Sequence, residues 1–394
     1  MESAGQHRIV RAEDVAHMGI TEVLRHAPYI FAQYRKLVSS IKAQRPDIAV
    51  LIDFPDVNFR LAKHLKKLGV PIVWFVSPQL WAWKRSRLRW VQQRISKMLV
   101  IFPFEEAFYR DRGVNATFVG HPLAEFPLPT STREQYAAAH NLDPAKTWIA
   151  LLPGSRWKEI CANLPALHEL AISDLIAGSA ANTIADGPNL TVPANPAAFT
   201  HYEFLLPVAS TIDPAKLQQY LHQLNAEHLK YFGPEASTLR LTLLTGPEAA
   251  REALHHARAS VVASGTATVQ AAIIGNPFVV VYRVSPLTFA LAKRLVRYPE
   301  EFHDMPDADD NQPIAMVNLI AQRRIVPELL QSSFTAASVA SALAPLLAEG
   351  PARDLQIAAL ASVRQSLIAD TSSTAIAHVA DTVLSLLSQS TRVG

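Results

Sequence analysis

The chain has 394 residues, 49% hydrophobic and 18% charged, enough apolar material for two packed cores and too much for global disorder. A formal net charge of only +3 gives no support to non-specific nucleic-acid binding. The single cysteine, Cys161, excludes an internal disulfide framework or a cysteine-rich zinc site and fits a reducing compartment.

Residues Met1–Arg8 lack the apolar core of a signal peptide, and no apolar run is long enough to span a bilayer, so membrane contact is expected to be peripheral. Residues 20–44 read as an amphipathic helix, bent at Pro28. Ile48–Ile52 reads as a buried strand whose carboxyl end delivers Asp53. Helix Asn58–Leu68, closed by Gly69, comes next, then strand Ile72–Val76, a helix from about Lys84, strand Met98–Ile101, helix Phe104–Arg112 and strand Thr117–Val119. Residues 121–133, with three prolines, resemble an interdomain linker. A second series opens with strand Trp148–Leu152 and the turn Pro153–Arg156. It continues through strands Tyr202–Val208, Leu239–Leu244, Ala259–Ala263 and Phe278–Val281, with a helical tail over 336–388. Residues 177–200 and 299–313 read as long surface loops.

This alternation predicts α/β architecture: two Rossmann-like domains facing a cleft, with ligands beyond the carboxyl ends of the strands. The expected division is a first domain over 1–125, a linker over 126–145, a second domain over 146–345 and C-terminal helices over 346–394. A doubly wound domain usually opens on a strand. The first clear strand here starts only at residue 48, so the N-terminal domain is expected to lack its first strand–helix unit.

Two strand–turn–helix junctions, Pro153-Gly154-Ser155-Arg156 and Ser264-Gly265-Thr266, combine glycine with a helix N-terminus, where free amides hold phosphate. Each alone is equally an ordinary cap; two in one domain favour a diphosphate site. Asp53, past a strand end, is placed to take a proton from a substrate hydroxyl, while Asp56 or Asn58 is placed to cap the next helix. Trp81 and Trp83, followed by Lys84 and Arg85, suit an anionic amphiphile or a membrane surface; the alternative is a solvated helix face with tryptophans in a core. His121 is open to an acid, phosphate-binding or structural role. The group His303, Asp304, Asp307, Asp309 and Asp310 matches no standard metal-ligand spacing and is read as a solvated loop.

At these residues the sequence resembles the lipid-A-disaccharide synthase family, inverting glycosyltransferases of GT-B fold. The matching strings include IDFPDVNFRLAKHLKKLGVP (Ile52–Pro71), VSPQLWAWKRSRL (Val76–Leu88), FPFEEAFYRDRGV (Phe102–Val114), LLPGSRWKEI (Leu151–Ile160), ASGTATVQAAIIGNP (Ala263–Pro277) and VNLIAQRRIVPELLQ (Val317–Gln331). The resemblance implies transfer of 2,3-diacylglucosamine from UDP-2,3-diacylglucosamine to 2,3-diacylglucosamine 1-phosphate, without metal or cofactor, at the cytoplasmic face of the inner membrane. It also implies Asp53 as general base, and Gly154, Ser155, Arg156, Ser264, Gly265, Thr266, Gln270 and Asn318 as donor-site residues. Ile20, Val23, Leu24, Ile30 and Phe31 fall on a helix that faces lipid in the family, and Trp81, Trp83 and Arg85 fall on the acceptor side. Gln270 stands where many members carry a glutamate for the ribose hydroxyls. A homodimer through the C-terminal segment is compatible with the helical tail. The competing functions are another UDP-N-acetylglucosamine-using GT-B enzyme and an inactive UDP-sugar- or lipid-binding homologue.

Overall fold

A computed structural model describes residues 5, 7–10, 20–172, 201–232, 241–296, 298–299, 302, 305–369 and 373–391. The 177–200 loop, His303 and Asp304 therefore lie outside the described residues. The chain forms two compact units, Met1–Pro122 with Ala369–Gly394, and Leu123–Ile368.

The first unit begins with helix α1 (Ile20–Ala43), which contains Pro28. Strands β1 (Ala49–Ile52), β2 (Ile72–Phe75), β3 (Lys97–Val100) and β4 (Ala116–Phe118) follow, joined by α2 (Pro55–Lys67), α3 (Leu88–Arg94) and α4 (Pro103–Arg110). Among the described residues these four strands are parallel, in the order β1-β2-β3-β4. Inner strand β2 is buried throughout, as its unbroken apolar run requires, whereas edge strand β1 buries Leu51 and exposes Val50 and Ile52. Helix α2 starts three residues earlier than the periodicity suggests, because Pro55 takes its first position with φ preset and no amide to leave unpaired. Gly69, at φ +69°, ends it: the Gly69 and Val70 amides turn back to the Lys66 and Leu65 carbonyls. Helix α14 (Ala375–Thr391) belongs to this unit.

In the second unit, α5 (Arg133–His140) lies inside the stretch read as a linker, capped reciprocally by Thr132 and Gln135. Among the described residues six parallel strands follow: β5 (Thr147–Leu152), β6 (Tyr202–Pro207), β7 (Leu241–Leu244), β8 (Ala259–Ala263), β9 (Phe278–Tyr282) and β10 (Glu328–Leu330). Their connections hold α6 (Trp157–Ile172), α7 (Pro214–Phe232), α8 (Ala249–His256), α9 (Thr266–Ile274), α10 (Pro286–Leu295) and α11 (Met316–Ala321). Helices α12 (Ala336–Leu347) and α13 (Pro351–Ser366) follow the sheet. The sheet order is β10-β9-β8-β5-β6-β7, a doubly wound arrangement that reverses between β5 and β8. Its core joins Ile149, Leu151, Val261 and Val279 of the strands to Leu164 and Leu167 of α6 and Leu343 of α12. Each such side chain contributes about 1.5–3 kcal/mol on burial. Strand β10 was not legible: it is three residues long and starts on a buried glutamate.

Candidate active site

Strands β5 and β8 pair directly, with Leu152 opposite Val262. The turns Pro153–Arg156 and Ser264–Thr266 therefore open side by side where the strand order reverses, the crevice in which doubly wound sheets take ligands. Two expected donor-site segments, distant in sequence, are brought together. Gly154 (φ +130°) and Gly265 (φ +153°) adopt backbone conformations that L side chains rarely reach.

The two turns differ in what their amides meet. At the β8 turn the Gly265, Thr266 and Ala267 amides meet no acceptor among the described residues. The Thr268 hydroxyl closes on the Gly265 carbonyl at 2.8 Å, and the Ser264 hydroxyl lies 3.5 Å from the Ile314 carbonyl oxygen. Gln270, half-buried one turn into α9, makes no hydrogen bond to the described residues, so its amide is available. At the β5 turn the Ser155 and Arg156 amides donate to Glu159 Oε2 at 3.0 and 3.3 Å, and the Arg156 guanidinium donates to Glu159 Oε1 at 3.1 Å. The Thr211 hydroxyl holds the Ser155 carbonyl. The groups expected to receive phosphate are thus occupied by a carboxylate of the chain itself. Its sequence signal is a glutamate in the first turn of α6 that reaches back to amides before it. Tyr282, at the end of β9, was also missed. Burial raises its phenol pKa, and the nearby Glu159 charge adds to this.

Asn318 contacts a ligand only if it gives up bonds it already has. It is fully buried; its Nδ2 donates to the Val326 carbonyl at 3.0 Å and Glu328 Oε1 at 2.7 Å. Its Oδ1 accepts from the Ile325 and Val326 amides at 2.7 and 3.0 Å. All four bonding positions of the amide are filled. The residue instead fixes Glu328, whose carboxylate receives the Ile314 and Ala315 amides and so anchors the segment beside Ser264. Burial raises the Glu328 pKa despite these donors.

In the first unit, Asp53 follows β1 with an exposed carboxylate that has no hydrogen bond or ion pair among the described residues. Asp53 and Phe54 have φ of +43° and +45°, two successive left-handed residues, neither of them glycine. Buried Asn58 holds this turn by donating to the Ile52 and Asp53 carbonyls at 3.1 and 2.6 Å. Neither Asp56 nor Asn58 caps α2, in contrast to the expectation. The cap position is Phe54, Asp56 pairs with Arg87 at 2.7 Å, and Asn58 donates where a cap would accept.

At the end of β2, Val76 is also left-handed, at φ +63°, a costly conformation for a β-branched residue, and its carbonyl accepts from the Trp74 indole at 3.1 Å. The segment after it is tied to a residue not singled out from sequence. Glu105 Oε1 accepts from the Ser77 hydroxyl at 2.7 Å and the Trp81 indole at 3.1 Å, and its Oε2 accepts from the Phe102 amide at 3.3 Å. Burial pushes the Glu105 pKa up to about 7, against the lowering effect of these donors. His121 lies buried beside the Phe102 ring, its pKa lowered to about 4 by burial, so it is neutral near pH 7 and unsuited to act as an acid there.

The expected lipid-facing residues divide. Trp81 is 2% exposed and packs edge-on to Phe104 at 5.1 Å, so it belongs to the interior because its indole is claimed by Glu105. Trp83 is 43% exposed with the Lys84 ammonium 4.0 Å from its ring centre, and Arg85 is exposed beside it. On α1, Phe31 is 56% exposed and Ile30 half-buried; the side chains of Ile20, Val23 and Leu24 lie outside the described residues. Asp307 receives the Asp309 and Asn311 amides, so its carboxylate organises its own loop. Among the described residues no helix is long and apolar enough to cross a membrane.

Two parallel α/β units, one doubly wound with open amides at its switch point, are the two halves of a GT-B fold. A solved structure, α,α-trehalose 6-phosphate synthase from Burkholderia multivorans, shares this fold with a TM-score of 0.50 and 13% identity, over 96% of this chain and 79% of that one. The lipid-A-disaccharide synthetase family matches residues 1–177 and 213–379. The lipid-A-disaccharide synthase of Acidobacterium capsulatum is 50% identical over 382 residues, 96% of this chain and 85% of that protein. The one from Koribacter versatilis is 42% identical over 387 residues, 98% and 88% of the two chains. The chain belongs to the lipid-A-disaccharide synthase family.

Proposed function

We propose that this protein transfers 2,3-diacylglucosamine from UDP-2,3-diacylglucosamine to the 6-hydroxyl of 2,3-diacylglucosamine 1-phosphate. The products are the β-1,6-linked lipid A disaccharide 1-phosphate and UDP. The observation that carries this reading is the pair of glycine turns side by side at the β5–β8 reversal, in a chain of this family.

The open Gly265, Thr266 and Ala267 amides receive the diphosphate, joined by the Arg156 guanidinium. These fixed donors meet the negative charge that grows on UDP as its bond to the sugar breaks. Gln270 takes a ribose hydroxyl through its carbonyl oxygen. Asp53 accepts the proton of the acceptor 6-hydroxyl while that oxygen attacks the anomeric carbon on the face opposite UDP; one carboxylate suffices for such an inverting displacement. Asn318 supports the site by positioning the Ile314–Ala315 segment. Trp83, Arg85, Ile30 and Phe31 form the side that meets the acylated acceptor and the cytoplasmic face of the inner membrane, with exposed apolar rings beside cations.

The test is to incubate the protein with both acylated sugars and follow disaccharide and UDP together. Equal amounts of the two are expected. A folded protein that yields neither from these substrates overturns the reading.

A further inference from the structure

We propose that Glu159 is a displaceable internal anion that sets the affinity of the donor site: it holds the β5-turn amides and Arg156 when no nucleotide is bound and yields them to the diphosphate. This rests on the reading of that turn as part of the UDP site. The carboxylate occupies the place a phosphate group would take. One oxygen collects the Ser155 and Arg156 amides, and the other pairs with the Arg156 guanidinium. The fit is close: a Cβ on Gly154 would stand 2.6 Å from both Glu159 Cβ and Glu159 Oε2. Tyr282 at the next strand end also feels the Glu159 and Arg156 charges, so the pair lies within reach of the groups around the crevice.

A diphosphate and a carboxylate compete for these donors, because the two amide hydrogens bond one acceptor best and the two anions repel. Glu159 is able to leave. The ion pair lies near the surface, with the Glu159 side chain 29% and that of Arg156 57% exposed, so water replaces what rotation of the side chain gives up. Each binding event therefore exchanges one anion for another, and nucleotide affinity is lower than the bare turn would give. After transfer, the return of Glu159 to the amides and to Arg156 favours departure of UDP.

Glu159→Gln keeps an oxygen for the amides and removes the charge; Glu159→Ala removes both and serves if the first variant does not fold. Calorimetric titration with UDP is expected to show binding about tenfold tighter in either folded variant than in the unmutated protein, which corresponds to about 1.4 kcal/mol. Stronger product inhibition by UDP is expected to accompany it. Unchanged or weaker UDP binding in a folded variant overturns the proposal. Arg156→Ala separates this from the reading beneath it. If Arg156→Ala weakens UDP binding while loss of Glu159 does not strengthen it, only the role of Glu159 falls. If Arg156→Ala leaves UDP binding unchanged, the donor-site reading falls and takes this proposal with it.

Discussion

Asn58 holds the peptide of Asp53 from within α2: its amide donates to the Asp53 carbonyl at 2.6 Å while the Asp53 carboxylate stays exposed. The bond matters because Asp53 and Phe54 are both left-handed, a conformation that costs of order 1–3 kcal/mol per residue and persists only when neighbours impose it. Asn58→Ala is expected to destabilise the protein by about 1–3 kcal/mol and to lower turnover without changing UDP affinity. Asp53→Asn keeps the turn and removes the proposed base; it is expected to cut transfer by about 10²–10⁴-fold at unchanged stability and UDP affinity. Paired steady-state kinetics and calorimetry check both. Turnover near the unmutated level in Asp53→Asn removes Asp53 as base.

Gly154 and Gly265 provide an internal comparison. Both have positive φ, but only Gly154 also faces a steric obstacle, the Glu159 side chain, whereas a Cβ on Gly265 meets open space. Gly154→Ala is expected to lower thermal stability more than Gly265→Ala, by a margin of about 1–3 kcal/mol. Thermal unfolding of the two variants side by side checks the order.

Glu105 gives the first unit a pH-dependent term of predictable sign. Between its ordinary 4.5 and the folded value of about 7, the folded protein keeps a proton that the unfolded chain has released. Stability therefore falls as pH rises through that window, by about 3 kcal/mol in total. His121 acts in the opposite sense, because a pKa lowered from 6.5 to about 4 removes stability as pH falls through that range. The unmutated profile mixes the two, whereas the difference from Glu105→Gln isolates the carboxyl group. Relative to that variant, the unmutated protein is expected to lose stability from pH 5 to pH 8 in urea unfolding followed by tryptophan fluorescence. A difference that stays flat over this range contradicts the burial-raised pKa.

Asn318 separates a contact from a support. Its four filled hydrogen bonds predict that Asn318→Ala loses UDP affinity together with about 2–4 kcal/mol of stability, because the Glu328 carboxylate and two amides are left short of partners. Thermal unfolding and UDP titration of the same variant check this. Lost affinity at full stability would show that Asn318 touches the nucleotide directly.

What the sequence discloses and what it hides follow the range of the interactions. Most strand ends, the glycine turns and the place of Asp53 past a strand end depend on a few consecutive residues, and these were legible. Partners set by tertiary packing were not. The grip of Glu105 on Ser77 and Trp81 crosses from one strand end to the helix after the next, and it turns Trp81 from a surface aromatic into a core residue. Asn318 reads as a site residue from its motif, yet its bonding is exhausted by Ile325, Val326 and Glu328 on the way into β10, a strand too short to show a pattern. Glu159 shows in the sequence as a first-turn glutamate, but that position alone does not say whether a phosphate or a carboxylate occupies the amides.

The reversal of strand order between β5 and β8 also dictates when the proposed donor site can form during folding. Strand β5 pairs with β6 and with β8, and β8 is made only after β6 and β7. A growing chain that stops short of Ala263 has the first glycine turn, held by Thr211 beyond β6, but not the second glycine turn beside it. Nucleotide held by both turns, as proposed, therefore stabilises only states in which that long-range strand pairing has closed.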